Sequence, residues 1–211
     1  MARPLTDVEA TRQQLLEAAE QLLARHGSRK VTVSDVAAGC GMSQSNAYRF
    51  FPSKAALMTG IAERWFAEIE TKLTDVAEDA GPAEKTLQTL LMTQLRIKRA
   101  RFDANPTLFL SHLELAARNM DAVWAHVHTL SALYERVVTR WLAEVALDTG
   151  QARNVTRLIE DATILFRDPN LIARRRDECT DERARAVIRN AMAGVIATEK
   201  DKKNVSPKRR R

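Results

Sequence analysis

Apolar residues recur at three- and four-residue spacings along nearly the whole chain, and strand-like alternation is absent. The pattern predicts an all-α protein. Over 12–26, Leu15, Leu16, Ala19, Leu22 and Leu23 form one stripe of an amphipathic helix, and Gly27 just past its end supplies a stop. The next start signal is denser. In "VTVSDV", Thr32 is placed to cap a helix over 33–39, Asp35 completes a capping-box-like pair three residues on, and Val31 and Val36 hold the staple positions. Gly41 breaks that helix and Ser43 caps another over 44–51. Pro52 with Ser53 ends this one and caps a long helix over 53–78. Helix, glycine-containing turn, helix is the outline of a helix-turn-helix unit.

Beyond residue 80 the punctuation is sparse: Gly81-Pro82, Asn105-Pro106, Gly150, Asp168-Pro169-Asn170, and Thr180 before two acids. It predicts helices over 82–103, 106–118, 120–148, 152–167, 171–178 and 181–199. Broad apolar faces such as Val123, Val127, Leu130, Tyr134, Val137, Trp141 and Val145 call for a second helical core. The expected organisation is a three-helix helix-turn-helix domain over 1–54, linked through the helix 53–78, then a larger helical domain over 55–200 and a tail over 201–211.

Charge changes this picture only at one end. The 211 residues carry a formal net charge of +6, but "DKKNVSPKRRR" at 201–211 holds six basic groups and one acid, +5, so the other 200 residues carry +1. DNA affinity in the body must therefore come from local placement of charge, and the tail is expected to be disordered and to add salt-sensitive nonspecific affinity or to have no role. No apolar run approaches the roughly 18 residues of a membrane helix and no signal-peptide pattern opens the chain, so a cytoplasmic location is expected. Cys40 and Cys179 form no Cys-x-x-Cys pair and are expected to serve as small buried hydrophobes.

Candidate chemistry sits in "CGMSQSNAYRFFPSK", residues 40–54. The front of a recognition helix must carry small or hydrogen-bonding side chains to enter the major groove, and Ser43, Gln44, Ser45 and Asn46 do; Gln and Asn can pair bidentately with adenine. They are also ordinary helix-start residues. Tyr48, four residues past Gln44, shares its face and can reach a phosphate, Lys54 can neutralise another, and Thr32 offers a hydroxyl at a helix start. Arg49 completes the candidate DNA contacts, and Phe51 is read as a core plug.

Residues 12–58 resemble the DNA-binding domain of the TetR (tetracycline-repressor-like) family of bacterial transcription regulators. The family's first helix ending in Gly, its Thr-started second helix, its "A-x-x-A-G-V-S" and its "Y-x-x-F-x-x-K-x-x-L" correspond here to Gly27, Thr32, "AAGCGMS" and "YRFFPSKAAL". Cys40, Met42 and Ala47 depart from the usual small, Val and larger aliphatic residues, and Asn46 replaces a frequent Thr or Ser.

The resemblance implies a homodimer on double-stranded DNA with a palindromic operator, a four-helix dimer bundle from the last two long helices, and a small-molecule effector in a ligand-binding and dimerisation domain. For the interface it points to Leu158 and Ala162 on the helix over 152–167 and, on that over 181–199, to the stripe Ala184, Ile188, Ala191 and Val195, which otherwise covers the protomer's own core. For the ligand it points to Phe102, Phe109, His112, Leu113, Trp124, His128 and Phe166, all expected to point into the bundle. His126 and His128, two apart on a helix, face about 200° from each other and cannot share a metal. No nucleophile and base arrangement, phosphate loop or cofactor motif is present, so no enzyme and no cofactor is expected. The expected function is a repressor released from its operator by a ligand; an activator or architectural DNA-binding protein of the same fold without an effector, or a helical module making protein contacts, remain open.

Overall fold

The capping signals set the first four helices. The computed structural model describes residues 5–27 and 30–205. α1 (Leu5–His26), α2 (Val33–Gly39), α3 (Gln44–Phe50) and α4 (Lys54–Ala77) follow in order, and α1 begins two turns before the expected Arg12. Thr32 and Asp35 close a full capping box on α2, Ser43 caps α3 by accepting from the Asn46 amide, and Gly27 and Gly41 take φ of 70° and 62°, the left-handed values that let the chain leave each helix.

The second half comprises α5 (Ala83–Ala104), α6 (Pro106–Ala117), α7 (Met120–Glu144), α8 (Ala152–Ala162), α9 (Ile164–Arg167), α10 (Pro169–Arg174) and α11 (Asp181–Val205). No strand occurs among the described residues. The expected helix over 152–167 is interrupted at Thr163, whose fully buried hydroxyl donates to the Ile159 carbonyl at 2.6 Å and competes with the backbone amide for that acceptor. The one expected over 171–178 is instead α10, capped by Asp168 and opened by Pro169, plus a 3₁₀ turn at 176–178. α7 stops at Glu144 rather than 148, because Ala146 turns to φ 55° and the Leu147 amide closes onto the Leu142 carbonyl at 2.8 Å. Asp201–Val205 continue α11, which corrects the expectation of a disordered tail from 201; residues 206–211 lie outside the described residues.

Among the described residues the chain forms two compact units, one of those up to 68 with 101–125, the other 69–100 with those from 126 on. This division differs from the expected boundary at 54. α6 packs on α1, and its Leu115 joins the first core with Leu15, Leu16, Leu23, Val36, Ala47, Phe51, Leu57 and Ile61, so residues near 115 belong with the helix-turn-helix. The second core is built on Leu87, Leu90 and Leu91 of α5, Val137, Val138 and Trp141 of α7, Ile159 of α8, Phe166 and Ile188. Cys179 is fully buried, as expected of a small hydrophobe, whereas Cys40 is only half-buried, and burial pushes both thiols up.

Candidate nucleic-acid interface

α3 is held from below. Ala47 is fully buried, Phe51 is 3% exposed, and the guanidinium of Arg12 lies over the Phe51 ring at 5.3 Å. Phe50, which the sequence reading leaves without a role, is half-buried and packs on the first core beside Met42 and Cys40. With those residues inward, Gln44, Ser45, Tyr48 and Arg49 are exposed on one side of α3, and Tyr48 keeps 43% of its surface open. Asn46 sits at the margin of that face and is half-buried, while Gln44 and Ser45 are exposed.

The backbone-contact candidates separate. Lys54 opens α4 and is exposed, behind a Ser53 cap that accepts from the Ala56 amide at 3.0 Å. Ser43 Oγ accepts from the Asn46 amide at 3.3 Å and the residue is exposed. Thr32 does not fit the role expected of it. Its hydroxyl donates to Asp35 Oδ2 at 2.6 Å and its amide to the same carboxylate at 3.0 Å, so both donors are taken and the neighbouring charge repels a phosphate.

The sequence model of bacterial regulatory proteins of the tetR family matches residues 15–61, and that of the tetracyclin repressor-like C-terminal domain matches residues 83–188. The chain belongs to the TetR family. It is a DNA-binding transcription regulator and not an enzyme. Among relatives, it is 32% identical over 98 residues to the nucleoid occlusion factor SlmA of Photobacterium profundum; that match spans about half of each protein, 46% of this chain and 48% of SlmA. Among solved structures, it resembles SmeT, the repressor of the Stenotrophomonas maltophilia multidrug efflux pump SmeDEF, with TM-score 0.62 and 17% identity over 89% of this chain and 91% of that one. The SmeT–triclosan complex gives TM-score 0.64 and 16% identity over 88% and 91%. At that identity the likeness is one of fold.

In this TetR-family chain the candidate ligand residues are divided between the two units. In the first unit, Trp65 of α4 stacks on His112 of α6 at 5.2 Å and meets Phe109 edge-on at 5.8 Å, while Phe102 meets Phe109 edge-on at 5.5 Å. His112 is 4% exposed, its Nδ1 has no hydrogen-bond partner, and burial, helped by the Arg101 charge, pulls its pKa down to about 4. Leu113 is half-buried on α6. Trp124 is 57% exposed and His128 is exposed, which corrects the expectation that both point into the bundle; α7 turns His126 inward instead, to Glu70 at 2.6 Å. Phe166 is buried in the second core.

The interface candidates need a similar correction. Ala184, Ile188 and Val195 are buried in the second unit's own core and Ala191 is half-buried, so that stripe of α11 faces inward. The outward face carries Asn190, Ala193, Gly194 and Ala197, all exposed. On α8, Leu158 is 51% exposed and Ala162 is exposed, as an interface position requires. Sequence reasoning missed the buried polar side chains of the second unit, Gln94, Lys98 and Thr156, because a polar residue on an apolar helix face gives no periodic signal.

Proposed function

We propose that the chain is a homodimeric repressor that binds a palindromic operator through α3 and is released by a small molecule. The observation that carries the DNA reading is the outward row Gln44, Ser45, Tyr48 and Arg49 on a helix fixed by Phe51 and Arg12. One such helix touches few bases, so useful specificity calls for two half-sites about 34 Å apart or a multiple of that. Leu158 and Ala162 on α8, with Asn190, Ala193, Gly194 and Ala197 on α11, supply a surface of large apolar and small residues that suits close helix approach, and α8 and α11 pack on each other within the unit. A cytoplasmic location accords with no described helix being long and apolar enough to cross a membrane.

Selection from random duplexes with the purified chain tests the first part. Enrichment of an inverted repeat is expected, and enrichment without two-fold symmetry would exclude the dimeric operator reading. Leu158→Glu is expected to shift the sedimentation coefficient toward monomer and to abolish cooperative operator binding. The effector part requires that the ligand bind the released state better than the DNA-bound state. SmeT, which shares the fold, has been captured with triclosan.

An activator or architectural protein without an effector is the second reading, favoured by the resemblance to a nucleoid occlusion factor. Operator affinity unchanged across a broad compound screen favours it over the repressor.

A further inference from the structure

Positive charge in the second unit is concentrated at one end of α11. Residues 174–189 hold six arginines, four acids and no lysine, +2, and Arg96 and Arg99 of α5 bring the group to +4, while the first 200 residues together carry only +1. The rest of that stretch is therefore net acidic, at −3.

Two carboxylates join the group in space. Asp181, the first residue of α11, accepts from Arg96 Nε at 2.9 Å and pairs with Arg99 Nη2 at 2.8 Å and with Arg185 Nη2 at 3.8 Å. Glu178, in the turn before α11, accepts from Arg175 Nε at 2.6 Å and from Arg183 Nη1 at 2.7 Å. Five guanidiniums thus share two carboxylates, and with the exposed Asp177 and Glu182 counted the group still stands at +4. The pairing orients the arginines without neutralising them. Hydrogen bonds from Arg175 and Arg183 draw the pKa of Glu178 down to about 2, and those from Arg96 draw that of Asp181 down as well, so both carboxylates stay charged near neutral pH.

Arg96, Arg175, Arg183 and Arg185 keep 47–52% of their side chains exposed, whereas Arg99, at 22%, is anchored by donating Nη1 to the Cys179 carbonyl at 2.8 Å. Exposed ion pairs add little to stability and crowded like charges repel, so the fold itself does not call for this concentration. Arginine in place of lysine gives each charge a planar fork that fits a pair of phosphate oxygens. A duplex presents such anions in a continuous row, one charge per about 1.7 Å of axis, and this chain is a DNA-binding regulator, brought to that polyanion by its own helix-turn-helix.

We propose that the second unit carries a sequence-independent contact for the phosphate backbone of duplex DNA, made by Arg96, Arg175, Arg183 and Arg185 and held in place by Asp181 and Glu178. The contact goes beyond the operator reading and does not rest on it, since α3 belongs to the other unit.

The full chain with α3 disabled by Gln44→Ala, Arg49→Ala and Lys54→Ala is titrated with a short random-sequence duplex at several salt concentrations, with binding read by fluorescence anisotropy. Binding is expected to survive. Adding Arg96→Gln, Arg175→Gln and Arg185→Gln should weaken it at least tenfold and lower the slope of log affinity against log salt by about 2–3. Lys72→Gln, Arg136→Gln and Arg153→Gln remove the same charge from exposed positions elsewhere in the unit and should cost far less. Arg96→Lys, Arg175→Lys and Arg185→Lys should keep most of the slope, which follows charge. A measurement on the unaltered arginines does not depend on how these variants fold: DNA should shield Arg175, Arg183 and Arg185 of the α3-disabled chain from phenylglyoxal, as read by peptide mass spectrometry. The contact is overturned by loss of all binding in the α3-disabled chain, by equal effects of the two glutamine triples, by a lysine triple that loses as much as the first glutamine triple, or by unshielded arginines. Polyglutamate of the same charge binding more tightly than the duplex at equal salt also overturns it and assigns the surface to an acidic protein partner. Failure to select any operator, with these results as expected, refutes the operator reading and leaves the contact standing.

Discussion

Gly60 of α4 lies directly against Phe51: a Cβ at position 60 would stand 2.9 Å from Phe51 Cε1, 3.2 Å from Leu16 Cδ2 and 3.3 Å from an Arg12 guanidinium nitrogen. Phe51 is the residue that seats α3, so this contact sets how the recognition helix is held. Gly60→Ala must push the ring or the arginine aside, and overpacking of this kind costs about 1–3 kcal/mol. Chemical denaturation is expected to show that loss, and DNA affinity to fall with it even though Gly60 is buried.

The proposed DNA interface assigns base reading to Gln44 on α3 and phosphate holding to Lys54 at the start of α4. Gln44→Ala is expected to relax preference at one operator position, at a cost of about 1–3 kcal/mol against the preferred base. Lys54→Met should weaken all sequences alike and lower the slope of log affinity against log salt by about 1. Binding selections run at two salt concentrations check both. An unaltered sequence preference in Gln44→Ala would remove that residue from base reading.

His112 makes the first unit acid-sensitive. Its folded pKa, about 4, lies below the unfolded value of 6.5, so between those values the unfolded chain binds a proton that the folded one refuses. Stability from this group is complete above about pH 6.5 and is lost as pH falls toward 4, by roughly 3 kcal/mol in all. Trp65 stacks on its ring and the Arg101 charge adds to burial in disfavouring the imidazolium. His112→Phe keeps the stack and should flatten unfolding free energy against pH across that window.

Ala146 bears a conformation that glycine adopts at less cost. Its φ of 55° ends α7 and brings Leu147 back to the core at 8% exposure. Ala146→Gly is expected to raise stability by roughly 0.5–1 kcal/mol, the relief of left-handed strain less the added freedom of the unfolded chain. Urea denaturation measures it, and a decrease would show that Ala146 is unstrained.

The helix-turn-helix was legible because its signals are local. Thr32, Asp35 and Ser43 satisfy backbone amides within three residues of themselves, and Gly27 and Gly41 answer to a φ that neighbouring residues require, so the sequence alone placed α2, the turn and α3 to within a residue or so. The same locality misled at Thr32: the capping box read correctly from the sequence is what uses up the donors expected to meet phosphate.

What depended on distant partners was not legible. A 3.6-residue period shows that Ala184, Ile188 and Val195 share a face but not whether that face meets α8 and α5 of the same chain or a second copy, since both burials select the same apolar residues. The fit of Gly60 under Phe51 and the meeting of Lys98 with Arg167 arise from positions 9 and 69 residues apart in the chain closing on one another. By itself the sequence determined the helix-turn-helix with its caps, the all-α class and the family; the tertiary structure decided which faces are buried and which side chains meet, because burial is a property of the closed fold and not of any one segment.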